Sequence, residues 1–196
     1  KIKVIDSGDE DAFEESLPFV IKADFDMLEP GGTANQTLIV GDPLELQWKC
    51  KGAVSTVTLQ YSYDQSSWTD IPGASSIPNP APDGLGIRKF SVPGGVPDII
   101  DTQVWFRVAD AVSGHPASYG VSDNSFRVKG AINITSPRNA VPPPPESNKT
   151  AMEIGKPFDI TWTKKGTIPT VIIDYCDDNG AFGVGHTYPI TTVASA

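Results

Sequence analysis

The chain has 196 residues, 39% of them hydrophobic, with 18 Gly, 18 Pro, two Cys and a net charge of −9. The hydrophobic content is enough for a core, while the acidic balance argues against a nucleic-acid partner, whose phosphates need clustered Lys and Arg. No run of about 18 or more apolar residues could span a bilayer as a helix, and no segment carries a sustained 3.6-residue stripe with caps.

Residues 1–30 hold nine acids against Lys1, Lys3 and Lys22, a local net of −6. Five of the acids fall within residues 9–15, where alignment with a later part of the chain places a loop between two strands. They read as a solvated loop, with a divalent-cation site as the alternative. Residues 1–22 are expected to supply two strands, the second over the stretch that carries Phe19 and Lys22, because KVIDSG at 3–8 is similar to RVADAVSG at 107–114 and ESLPFVIKADF at 15–25 to SDNSFRVKGAI at 122–132.

Leu44, Leu46, Trp48 and Cys50 alternate with Glu45, Gln47 and Lys49, which predicts a half-buried strand ending at Gly52. Val57, Leu59, Tyr61 and Tyr63 alternate with Thr58, Gln60 and Ser62, and the turn DQSS returns the chain through Trp68 to Ile71. The Pro- and Gly-rich run from Pro72 to Gly86 reads as an irregular crossing to a strand at Ile87–Val92. Val104, Phe106 and Val108 then alternate with Gln103, Trp105 and Arg107, and Ser125–Lys129 closes the set. Trp48, Leu46, Leu59, Tyr61, Phe106 and Val108 are expected in one core.

The chain then repeats itself. Residues 154–182 lie without a gap on residues 40–68, with Trp162 on Trp48 and nine of the 29 positions identical, among them Gly41, Pro43, Gly52 and Tyr61. At the earlier offset of 107, Phe126, Lys129 and Pro137 match Phe19, Lys22 and Pro30. A period near 107 is the size of an autonomous domain rather than of a solenoid repeat. Residues 1–22 therefore read as the closing strands of one repeat, 23–130 as a complete repeat, and 131–196 as the first part of a third. The chain is expected to be a window on a longer array, its ends completed by flanking chain or by neighbouring molecules. The joint at Lys129–Ala131 is short enough to favour a semi-rigid rod.

About seven short strands in such a period predict an all-β fold of tandem Greek-key β-sandwich domains. The Trp of the second strand (Trp48, Trp162), the Tyr of the third (Tyr61, Tyr175) and the F/V-R-V strand near the end resemble fibronectin type III and bacterial immunoglobulin-like repeats. That resemblance implies an extracellular, cell-surface setting and a non-catalytic structural role, as in a surface-layer or filament protein that self-associates with neighbouring copies. An adhesin stalk or carbohydrate-binding array with a glycan ligand, and a spacer region of a large secreted enzyme, are the alternatives. A glycan reader would need an exposed aromatic platform, for which Trp68 and Trp105 are the candidates.

Little in the sequence suggests chemistry. The two histidines, His115 and His186, sit in unrelated Gly/Pro-flanked loops, and neither pairs with a nucleophile motif. SYDQSSW at 62–68 resembles the Asp-box turn of sialidase-like propellers, but Ser66 replaces its Gly and the period is wrong. It reads better as a hairpin in which Asp64 bonds nearby backbone. Asp177, Asp178 and Asn179 offer several oxygen ligands on one turn and form the candidate calcium site, against a simple Asn-Gly turn. No other cofactor is suggested. Asn35, Asn133 and Asn148 head N-x-S/T sequons and are candidate glycosylation sites. Cys50 and Cys176 are not equivalent in the repeat and are not expected to bridge.

Overall fold

The computed structural model describes residues 1–31, 36–115, 117–137, 155–176, 182 and 187–194. Its strands in chain order are β1 (Lys3–Asp6), β2 (Asp9–Glu15), β3 (Asp24–Glu29), β4 (Gln36–Ile39), β5 (Glu45–Lys51), β6 (Thr56–Ser62), β7 (Thr69–Asp70) and β8 (Ile77–Pro78). They continue with β9 (Ile87–Ser91), β10 (Asp101–Asp110), β11 (Tyr119–Val121), β12 (Phe126–Lys129), β13 (Ala131–Ser136), β14 (Thr161–Lys165), β15 (Thr170–Cys176) and β16 (Thr187–Ala194). The described residues are all-β and contain no helix long and apolar enough to cross a membrane.

The chain divides into two compact units. The first comprises Lys1–Ala34, Leu44–Pro93 and Trp105–Ser125. In it, β3, β5 and β9 form a sheet with β5 in the middle, and β6 is flanked by β10 on one side and by β7 and β8 on the other. Period-2 alternation turns Leu46 and Trp48 of β5, Val57 and Leu59 of β6, and Phe106 and Val108 of β10 inward, all with no accessible surface. The arrangement is sandwich-like. Burying six such side chains contributes about 1.5–3 kcal/mol each before entropy is counted. Trp48 does not lose its indole hydrogen bond on burial, because Nε1–H donates to Asn79 Oδ1 at 3.3 Å and Asn79 Nδ2 donates to the Val54 carbonyl at 2.9 Å.

The second unit comprises Asn35–Pro43, Gly94–Val104 and Phe126–Ala196. There β12 pairs in parallel with β4, Phe126 opposite Gln36 and Lys129 opposite Ile39, and antiparallel with the start of β10. Val104, Phe126 and Val128 on these strands, and Val40, Val96 and Ile99 in the segments beside them, are buried. The hairpins β13–β14 and β15–β16 complete it. Lys165 Nζ donates to Asp42 Oδ1 at 2.7 Å, and the Thr167 hydroxyl donates to the Asp98 carboxylate.

Two strand pairs that the sequence alignment matches have the same strand register. In β3–β5, Asp24 faces Lys51, Met27 faces Trp48, and the ladder slips between Met27 and Glu29. In β13–β14, Ala131 faces Lys165, Ile134 faces Trp162, and the slip falls between Ile134 and Ser136. These are the matched positions throughout. The matched glycines also share a left-handed conformation, Gly41 with Gly155 (φ 77° and 81°) and Gly52 with Gly166 (φ 110° and 83°), a region that a side chain would strain. β1–β2 and β10–β11, matched in the same alignment, also pair alike: Lys3 faces Glu15 and Ile5 faces Phe13, as Arg107 faces Val121 and Ala109 faces Tyr119.

Four local expectations need correction. The acidic run 9–15 is strand β2 and not a loop, because the turn closes at Ser7–Gly8, where Gly8 N–H donates to Asp6 Oδ1 at 2.9 Å, and the return strand starts at once. Phe19–Lys22 forms no strand; the segments that pair with its match β12, Gln36–Ile39 and Asp101–Val104, have no counterparts within residues 1–22. Tyr61 is only half-buried: it faces Phe106 across the ladder, but its ring stands edge-on to exposed Tyr63, centroids 5.6 Å apart. Ser62, expected outside, is buried because the following turn folds back onto it. Two short strands are also unexpected: β8 lies in the run read as irregular, and β11 in a stretch for which no strand is predicted.

Candidate functional site: an arginine-centred groove

The outward face of β6, β7, β10 and β11 carries a row of polar side chains set by register. Arg107 lies opposite Gln60, and Gln60 lies opposite Asp70. Each cross-strand pair is bonded: Arg107 Nε–H donates to Gln60 Oε1 at 2.7 Å, and Gln60 Nε2–H donates to Asp70 Oδ1 at 2.6 Å. The Ser75 hydroxyl donates to the other oxygen of Asp70. The Gln60 amide thus separates cation from carboxylate and orients both.

Two aromatic rings hold the guanidinium. Its carbon lies 4.3 Å from the centre of the Trp68 ring and 5.2 Å from that of Tyr119. Such contacts are worth roughly 0.5–2 kcal/mol, more as the cation loses water. Burial lowers the Arg107 pKa below the ordinary value, opposed by Tyr119 and Asp70, and the group stays charged. Among the described residues Arg107 makes no ion pair, and only one of its five N–H groups is engaged by Gln60.

Beside this row runs a groove of about 500 Å³, lined by the small residues Ala109, Ala111 and Ala117 together with Thr58, Ser76, Ser118 and Tyr119. Ser76 N–H donates to the Thr58 hydroxyl at 3.0 Å, which ties two of these residues together. At one end Asp110, almost fully buried, accepts from the Val112 N–H at 2.9 Å and lies 2.8 Å from His115 Nδ1. A fixed cation, stacked rings and hydroxyls around an open trough can bind a polar, hydroxyl-rich ligand.

Of the two platform candidates, Trp68 belongs to this site. Trp68 reaches it through its contact with Arg107 and does not itself line the groove, and Trp105, half-buried on β10 opposite Ser62, does not line it either. Sequence reasoning missed Arg107, Gln60, Asp70 and Tyr119. Outward alternation was visible for Arg107 and Gln60, but their pairing depends on a register that one strand does not reveal. Trp68 itself is set by the 62–67 turn. Asp64 accepts from Ser66 N–H at 2.8 Å and Ser67 N–H at 2.9 Å, and the Trp68 indole N–H donates to the Gln65 carbonyl at 3.1 Å. The Ser67 backbone bond, then the Ser66 hydroxyl and N–H and the Ser62 hydroxyl, hold the Asp64 carboxyl well below the usual carboxylate range.

Asp177, Asp178, Asn179, Asn35, Asn148 and His186 lie outside the described residues. Asn133 is on β13, exposed, opposite Thr163. Among the described residues no three His, Cys, Asp or Glu side chains converge as a metal shell. Cys50 and Cys176 form no disulfide, and burial pushes the Cys50 thiol pKa up. No protein-family model matches the chain, and no curated protein matches it.

Proposed function

We propose that this chain is a run of tandem immunoglobulin-like sandwich modules serving as a non-catalytic structural component of the cell exterior, of the surface-layer or filament kind. The observation that carries the reading is the repeated ladder: β13–β14 reproduces the register, the slip and the flanking glycine of β3–β5. Reuse of one module at a period near 107 extends a chain without adding a new active site. The N-x-S/T sequons and the sparse cysteine fit the same setting. Antibodies raised against residues 23–130 are expected to label intact cells of the source organism. Labelling that appears only after lysis defeats the cell-exterior assignment.

The groove favours a second reading, in which one face of the module binds glycans. Sugar rings present hydroxyls to Arg, Asp and Ser and apolar faces to aromatic rings, the set gathered around Arg107. A glycan array probed with the chain and with Arg107→Ala is the test. Binding that survives the substitution, or no binding at all, removes this reading.

A further inference from the structure

β15 pairs with β16 along one edge, and its other edge has no partner among the described residues. Beside it a cleft of about 120 Å³ opens between Ile134, Trp162 and Ile173. Ile132 and Ile134 are 49% and 53% exposed, whereas their matches Phe25 and Met27 are 7% and 5% exposed. In the first unit, the edge of β6 that corresponds to this open edge is taken by β10, with Val108 opposite Leu59 and Phe106 opposite Tyr61.

We propose that β15 of one molecule takes as its missing neighbour β1 of a second copy of this chain. Three observations select that occupant. First, β1–β2 is built as β10–β11 is, down to the cation on the ring: the Lys3 ammonium lies 3.7 Å from the centre of Phe13, as the Arg107 guanidinium lies 5.2 Å from that of Tyr119. Second, β10 holds β11 on one edge and β6 on the other, while β1 holds β2 on one edge and nothing on the other among the described residues. β1 can therefore accept β15 without giving up a bond. Third, transferring the β10–β6 register sets Lys3 opposite Asp174, Val4 opposite Ile173 and Ile2 opposite Tyr175. That puts opposite charges together on the outer face. Ile2 and Val4, now 58% and 69% exposed, move to the apolar side.

The contact is heterologous, head of one copy to tail of another, so it propagates instead of closing a two-fold dimer. The proposal rests on the repeat and not on the cell-exterior location, so a negative result in the surface-labelling experiment leaves it standing. Light scattering and sedimentation velocity of the 196-residue chain are expected to show a mass rising with concentration in steps of 20.9 kDa. Val4→Asp, at a side chain exposed in the single molecule, is expected to abolish the rise while leaving the circular dichroism unchanged. Should that variant misfold, charge reversal decides. Lys3→Glu and Asp174→Lys are each expected to weaken association by about tenfold, and the double variant to recover it. A chain that stays monomeric at every concentration, association indifferent to both Val4→Asp and charge reversal, or a double variant as weak as the singles overturns the proposal.

Discussion

The indole of Trp48 and the side-chain amide of Asn79, 31 positions apart in sequence, form a hydrogen bond of 3.3 Å at the centre of the first unit. Asn79 is held in turn by the Val54 carbonyl, so this residue joins the Pro-rich crossing to the buried indole. Asn79→Ala leaves a buried N–H unpaired, and the expected loss is about 1–3 kcal/mol. Urea unfolding followed by Trp fluorescence measures it; a change within a few tenths of a kcal/mol shows that another acceptor reaches the indole.

Gly120 lies where β11 passes close to β3. A Cβ there would stand 2.6 Å from the Phe25 carbonyl oxygen and 3.0 Å from its Cβ, in a strand paired with β5. Gly120→Ala is expected to destabilise the first unit by about 1–3 kcal/mol through displaced backbone. Thermal unfolding checks this, and an unchanged melting temperature shows that β11 has room to move.

Arg107 links the stacked rings to the Gln60–Asp70 row. Arg107→Ala is expected to cost about 0.5–2 kcal/mol from the lost cation–π and packing contacts and to shift the Trp68 indole resonance. Arg107→Lys keeps the charge, but a lysine lacks the planar fork that stacks while donating, so it should recover less than half of that loss. Full recovery by Lys means that charge alone matters at this position.

The hairpin turn at 62–67 carries a pH signature. The Asp64 pKa is lowered in the folded chain, so its contribution is fully present above the ordinary aspartate value of about 4 and is lost as the pH falls through the folded value. NMR titration should find this carboxylate still ionised when most others have protonated. A normal midpoint shows that the Ser66 and Ser67 bonds do not persist in solution.

Much of the core was legible because burial follows a simple period. Trp48, Leu59 and Val108 sit where alternation places them. The pattern failed at Tyr61 and Ser62, where a turn covers the outer face locally and reverses which residue is hidden. It failed again at residues 9–15, since five carboxylates signal solvent exposure, and an exposed hairpin strand satisfies that signal as well as a loop does. β8 and β11 have two and three residues, too few to show a period. The groove was legible only through Trp68. A chain read in one dimension shows which way Arg107 and Gln60 point, but their meeting is a property of neighbouring strands.

The parallel pairing of β4 with β12 has a mechanical consequence. A pull along the polypeptide enters β4 from its N-terminal end and leaves β12 by its C-terminal end, so the two strands are drawn past each other along their length. The rungs from Gln36–Phe126 to Ile39–Lys129 then share the load at once. A hairpin such as β1–β2, tugged at its open end, peels one rung at a time. The β4–β12 pairing is therefore loaded in shear, and its four rungs are expected to part together at a higher force than the same rungs broken in succession.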